Sequence, residues 1–422
     1  MRAVVACLAL AALAATAAGC GGNCAEIAAR RTALVARTQI APGPHAQVVI
    51  PLARANQLLA ALVRDQPLRA PIELPDLGPL PLAALALSAQ VRTVELRPAA
   101  ADRLRFAIEL EIDEADRPLT TLAVVAEVKP ELARTATGSD LVAGFGPDNL
   151  LAVRPELGGD AGRVLVDAVK RWLPAAVTDR VPRVVLDRAA GKLAEHLTGK
   201  AYELLRASLL KRLGELTRLR IRLPALPIAR TAVASTPEAM TIDLTTDLPV
   251  RRGLAPAALP GSDDVAVRIS QSTAAELANW SIARGHLPQH YARDLEPRAD
   301  GEYRPWLDYV AGDPRRPVKV HVFQERGGCS YFQVGLRYEL GIAGDKLEVA
   351  IHDRFVESAN ASAALELALW LKQLILGSVD SSYRAAARTQ LTIGDRRFAA
   401  RVLGAAVTGD DLAFTLGFTV AP

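Results

Sequence analysis

The sequence predicts an α+β fold built from two pseudo-repeated halves. Three patterns carry that expectation. Segments of apolar–polar alternation recur, as at Leu104, Phe106, Ile108, Leu110 and Ile112. Alternation of this kind marks a strand with one buried face. A run of helical apolar spacing extends from Val184 to Leu216, which marks an amphipathic helix of about 30 residues, or about 45 Å. Finally, AQVVIPLARANQLLAAL overlays VAVRISQSTAAELANWS, with Ile50 on Ile269 and Leu58 on Leu277. The overlay is one of pattern, which two unrelated α+β domains could also share.

At the start of the chain, Arg2 precedes an uncharged apolar run from Ala3 to Leu13, followed by small residues up to Cys20. This is the layout of a secretory signal, and the run falls short of the roughly 20 residues that span a bilayer. Ala17-Ala18-Gly19-Cys20 resembles the lipobox of bacterial lipoprotein precursors, although Ala17 stands where leucine is usual. The resemblance implies cleavage before Cys20 and a diacylglycerol, with acyl chains such as palmitate, on its thiol. Two or more acyl chains anchor a protein stably. Gly21 stands where an Asp would mark inner-membrane retention, so the resemblance implies an outer-membrane anchor facing the periplasm. An ordinary signal peptide that happens to precede a cysteine is the plainer alternative.

The expected divisions are a signal peptide over 1–19, a lipidated tether over 20–44, a first half over 45–250 and a second over 260–422. Removing Arg2 from the 50 basic residues leaves 49 against 46 acidic ones. That balance, with aromatics at 5%, argues against a nucleic-acid partner. Of the cysteines left after cleavage, a lipidated Cys20 would leave Cys24 and Cys329 either as a disulfide pair or as two free thiols. An exported compartment permits the bond, and geometry decides, since the Cα atoms must lie within roughly 7 Å.

In chain order, a helical stretch is expected within the tether, then a strand at Gln47–Ile50 and a helix at Leu52–Val63. Strands follow at Leu85–Leu96 and Leu104–Ile112 around the turn AAAD, and at Leu119–Val128. A long helical region from Gly162 to about Leu216 comes next, interrupted early by Pro174 and Pro182 and cleanly amphipathic from Val184 onward. After it come strands at Leu219–Leu223, Ile228–Ala234 and Met240–Leu248. The second half reads as a strand at Val265–Ile269, a helix at Thr273–Ala283 and then an irregular stretch. Strands resume at Val318–Phe323, Tyr331–Leu340 and Leu347–Asp353. A buried helix is expected at Ala361–Leu376, and last strands at Arg384–Ile393, Arg397–Val407 and Leu412–Val420.

At Val265–Leu287, the strand, polar step and helix ending near Gly285 and Leu287 resemble the second-domain opening of bactericidal/permeability-increasing protein and its relatives, the tubular lipid-binding (TULIP) proteins. The resemblance implies that each half is a twisted antiparallel sheet wrapped around a long amphipathic helix. It also implies an apolar tunnel for lipid tails between sheet and helix. Each buried CH₂ contributes about 0.8 kcal/mol, so such a tunnel needs no polar signature. Leu58, Leu62, Leu197, Leu204, Leu277, Trp280, Trp370 and Leu374 are the residues expected to line it, or else to fill an ordinary core. In eukaryotic members a disulfide lies within the first domain, whereas Cys24–Cys329 would join the tether to the second half.

Catalytic motifs are weak. Asp113-Glu114-Ala115-Asp116 spells a helicase box, but no phosphate-binding GxxxxGK[ST] loop precedes it. Ser208-Leu209-Leu210-Lys211 matches SxxK without its SDN or KTG partners. His286 and His290 are separated by Pro288, and His321 and His352 lack neighbours at zinc spacing. Asn279-Trp280-Ser281 fits a glycosylation pattern that means little in a bacterial lipoprotein. The sequence therefore points to a non-enzymatic, membrane-anchored lipid binder without cofactor or metal. The alternatives are an envelope adaptor with a solid core and, less favoured, a hydrolase using Ser208 and Lys211.

Overall fold

The computed structural model describes residues 24–65, 69–72, 87–114, 117–135, 138–143, 150–157, 182, 184, 219–223, 226–256, 264–292, 296–344, 346–361, 381–386, 388–393 and 396–420. The signal, Cys20, the expected helix over 184–216 (Val184 apart), the SxxK pair and nearly all of the expected helix over 361–376 lie outside the described residues.

The first half contains α1 (Cys24–Val35), β1 (Ala46–Pro51), α2 (Leu52–Asp65), β2 (Arg69–Ile72), β3 (Leu87–Arg97), β4 (Leu104–Glu114) and β5 (Arg117–Val128). It continues through β6 (Glu131–Thr135), β7 (Gly138–Ala143), β8 (Leu150–Leu157), β9 (Leu219–Leu223), β10 (Ile228–Ser235) and β11 (Ala239–Thr246). The second half contains β12 (Val265–Ser270), α3 (Gln271–Ala283), β13 (Tyr303–Tyr309), β14 (Val318–Gln324), β15 (Tyr331–Ala343) and β16 (Lys346–Asn360). It ends with β17 (Ser381–Ala386), β18 (Arg388–Ile393), β19 (Arg396–Thr408) and β20 (Asp411–Val420). The fold is thus α+β and dominated by antiparallel sheet.

Three sheets organise these strands. The central one runs β10-β11-β1-β12-β20-β19-β18-β9-β7-β6, and two five-stranded sheets run β2-β3-β4-β5-β8 and β13-β14-β15-β16-β17. The halves meet in the central sheet, where β1 pairs antiparallel with β12. Under the sequence overlay Val48 falls on Val267, and these two residues are register partners. A local two-fold axis therefore passes through this pair, and α2 and α3 each begin at the residue after their strand.

The main core lies between α2, the central sheet and the β2–β8 sheet. Val91, Val94, Leu96, Phe106, Ile108, Leu110 and Val128 fill it, with Val233, Met240 and Ile242 from the central sheet and Ala55, Leu59 and Val63 from α2 packed against it. Leu104, Phe106, Ile108 and Leu110 of β4, from the alternating set read from the sequence, are all buried. Full burial of one such side chain contributes about 1.5–3 kcal/mol.

Several elements depart from expectation. The irregular stretch after α3 contains β13, whose Pro305 cannot donate to a ladder and is tolerated because β13 is an edge strand. The single strand expected at Arg384–Ile393 is two: β17 belongs to the β13–β17 sheet and β18 to the central one. The chain thus changes sheets between Ala386 and Arg388, as strands of packed sheets do. Strands β6, β7 and β8 have no sequence counterpart above, being short and weakly alternating.

Candidate functional site

An open groove of about 660 Å³ lies between α2 and β3. Ala53, Asn56, Gln57, Ala60, Val63 and Arg64 form the helix side, and Gln90 to Glu95 the strand side. Among the described residues β3 pairs with β2 from Leu87 to Gln90, and further along β3 the helix reaches its backbone edge. Asn56 closes that edge at one point. Its Nδ2 donates to the Leu96 carbonyl at 3.2 Å, and its Oδ1 accepts from the Leu96 amide at 2.7 Å. The small Ala53 and Ala60 leave space beside this clamp. The groove floor is aliphatic, with Val63, Val91 and Val94, and its rim carries Arg64, Arg92 and Glu95. Arg92 is bound to Glu111, which holds that carboxyl below the usual range.

The second half presents a different arrangement around α3. The helix starts at an N-cap, Ser270, whose hydroxyl oxygen accepts from the Thr273 amide. Gln271, Ser272, Thr273, Glu276 and Asn279 are all buried. Asn279 docks on β13 as Asn56 docks on β3: Nδ2 donates to the Leu307 carbonyl and Oδ1 accepts from the Leu307 amide, both at 2.8 Å. Beside it, buried Asp308 receives Arg251 at 3.2 Å and Arg37 at 3.1 Å. His321 lies 4.0 Å from the same carboxylate, and its Nδ1 is 2.9 Å from the Tyr331 hydroxyl. Burial drives His321 down to about 4 against the opposing pull of Asp308, and Arg37, Arg30 and Arg251 add to the lowering. Burial, reinforced by Asp308, pushes Glu276 above the usual carboxylate range.

Helix α1 seals this cluster. Cys24 and Cys329 form a disulfide with Cα atoms 5.2 Å apart. Ile27 and Leu34 pack on Phe323 and Tyr331, Arg30 stacks 4.7 Å above the Tyr331 ring, and Arg31 binds Glu325 at 2.5 Å. The expected tether is therefore a docked helix whose covalent latch lies in the second half.

The residues named from sequence are dispersed. Leu58 is half-buried on α2 but does not line the groove. Leu277 is half-buried on α3. Trp280, also half-buried, stacks under Arg284 at 4.9 Å and beside His286 at 5.5 Å. The side chain of Leu62, and Leu197, Leu204, Trp370 and Leu374, lie outside the described residues. His290 binds Glu325 at 3.1 Å and His352 binds Glu339 at 3.3 Å. Among the described residues, no three His, Cys, Asp or Glu side chains converge to hold a metal. Among the same residues, no helix is long and apolar enough to cross a membrane. The groove residues Ala53, Gln57 and Ala60 escaped the sequence reading because they are small or polar. Their only signal is their position on the α2 face one turn apart.

No model of a known protein family matches the sequence, and neither does any curated protein. Among solved structures, P47 from Clostridium botulinum A2 is 9% identical, with a TM-score of 0.37 over 88% of this chain and 97% of that one. P47 of Clostridium botulinum E1 is 10% identical, with a TM-score of 0.39 over 88% and 98%. A lipopolysaccharide binding protein is 10% identical, with a TM-score of 0.23 over 90% and 100%.

Proposed function

We infer that this chain is a membrane-anchored lipoprotein of the cell envelope that binds or transfers lipid, or another apolar ligand, between sheet and helix. The groove beside α2 is the observation that carries the reading. Its volume falls within the roughly 300–1,000 Å³ typical of small-molecule sites, and an aliphatic floor under a polar rim is the usual lining. A tail laid on Val63, Val91 and Val94 needs no catalytic group, in keeping with a non-enzymatic role. The lipobox-like Ala17-Ala18-Gly19-Cys20 and the TULIP-like sequence pattern support the same reading. The disulfide adds orientation. Cys20 lies four residues before Cys24, so a lipid on it sits within roughly 14 Å of the latch, and the Cys329 end of the second half faces the membrane. An anchored carrier meets lipid at a high local concentration.

The test is mass spectrometry of solvent extracts from the natively purified protein and from an Ala60→Trp variant, whose indole fills the groove. Lipid is expected in the first and depleted at least tenfold in the second. A parent protein without lipid overturns the carrier reading and favours the adaptor. The mass of the N-terminal peptide separately reports acylation of Cys20.

A further inference from the structure

A second pocket, of about 490 Å³, lies where the loop after α3 meets the β14–β15 turn. The loop is built rather than loose. The amides of His286 and Leu287 both return to the Ser281 carbonyl at 2.9 and 3.2 Å. Tyr291 bridges Tyr303, and Gly301 lies so close to the Tyr291 backbone that a Cβ would meet it at 2.5 Å.

The chemistry of the lining is one-sided. Arg298, Arg326 and His290 line the pocket, with Gln289 and the apolar Leu287, and among the described residues no carboxylate lines it. Nearby acids are turned to other partners: Glu325 binds Arg31 and His290, and Glu302 accepts from Gln324. Glu296 and Asp300 are exposed on the same loop but do not line the pocket. Among the described residues Arg326 donates to the Ala299 carbonyl alone, at 3.4 Å. Neither Arg298 nor Arg326 has a carboxylate partner among the described residues. Leu287, 43% exposed, stands at the rim.

Location completes the argument. Arg326 is three residues from Cys329, which is bonded to Cys24. Chain length then places the Cys20 thiol within roughly 30 Å of the pocket even at full extension. We propose that this pocket receives the phosphate group of an anionic phospholipid at the membrane surface, with Leu287 entering the acyl boundary. Cation and apolar residue are paired here as at interfacial sites. The proposal rests on the anchoring reading for its placement, while the pocket chemistry stands without it.

The test is flotation of the full chain carrying Cys20→Ser with phosphatidylcholine vesicles, with and without phosphatidylglycerol. Binding to phosphatidylcholine alone subtracts the contribution of the apolar signal segment. The parent is expected to prefer phosphatidylglycerol by at least tenfold, and Arg298→Ala/Arg326→Ala to lose that preference by about tenfold or more. Arg230→Ala, on an exposed residue of β10, should keep it. No preference in the parent, an unchanged double variant, or an equal loss in Arg230→Ala overturns the proposal. So does binding of inorganic phosphate without any preference for the anionic vesicles. An unacylated Cys20 in the mature peptide, together with vesicle preference, removes the anchor and keeps the pocket.

Discussion

Helix α2 follows β1 and helix α3 follows β12 with no residue between, and each lays one asparagine on a strand edge: Asn56 on Leu96, Asn279 on Leu307. Under the overlay of Val48 on Val267, Ala53, Gln57 and Ala60 fall on Ser272, Glu276 and Asn279. The first three line an open groove, and the second three are buried. One helix face thus does two jobs. In the first half small residues leave it open. In the second it carries polar residues, and Asp308, Arg251 and α1's neighbour Arg37 close over it. The difference teaches that the space beside this helix is available in both halves, and that side-chain chemistry decides whether it stays empty. It also explains why the groove lies beside α2, whereas the matching face of α3 is filled and the latch is set against the second half.

The largest expected effect comes from breaking the closed face. Asp308→Ala would leave Arg37 and Arg251 facing each other without their shared carboxylate. Removing one partner of a buried ion pair costs about 3–5 kcal/mol, and about 4 kcal/mol is expected here. Urea unfolding with hydrogen exchange at 265–360 measures it. Exchange at α2 and β3 should stay at parent values. A loss spread equally over both halves would contradict the division of labour.

Next comes pH. His321 keeps its neutral form in the fold down to about pH 4, whereas an unfolded histidine takes up its proton near 6.5. Between these values the unfolded chain binds more protons, so stability falls as the pH drops from about 6.5 to 4, by about 3 kcal/mol. Glu276 opposes this. Its raised value means that it protonates first in the fold, which favours the fold as pH falls. His321→Asn should therefore flatten or invert the acid slope of the second half, as read by thermal unfolding at a series of pH values. An unchanged slope would remove His321 from the account.

Much of this was legible in the sequence, for definite reasons. The alternation of Leu104 to Ile112 fixed β4 because one face of that strand is buried and the other wet. The Ile50–Ile269 overlay located both β–α openings because burial of strand and helix together leaves a periodic trace. Cys24 and Cys329 could be paired as one of two alternatives, since so few cysteines remain. The rest left no such trace. Strand β13 carries Pro305 and borrows its ladder from β14. The closed face of α3 is polar, so a search for apolar spacing picked out Leu277 and Trp280, which are only half-buried, and passed over Glu276 and Asn279. Asp308, Arg37 and Arg251 come from three distant segments, and only the fold brings them together.

The smallest effect tests the shared device itself. Asn279→Ala strips the Leu307 amide and carbonyl of their partners in a buried setting, and an unsatisfied buried group costs about 1–3 kcal/mol. Asn56→Ala does the same to Leu96, but beside an open groove, where water can take the place of the side chain. We expect about 2 kcal/mol for the first and under about 1 kcal/mol for the second, measured by denaturant midpoints at constant slope. The inequality matters more than either value. Equal costs would mean that the α2 groove is as dry as the α3 interface, so that the two faces differ in shape but not in access to solvent. A larger cost at Asn56 would mean that the clamp, rather than the apolar packing of Ala55, Leu59 and Val63, holds α2 off the strand and keeps the groove open.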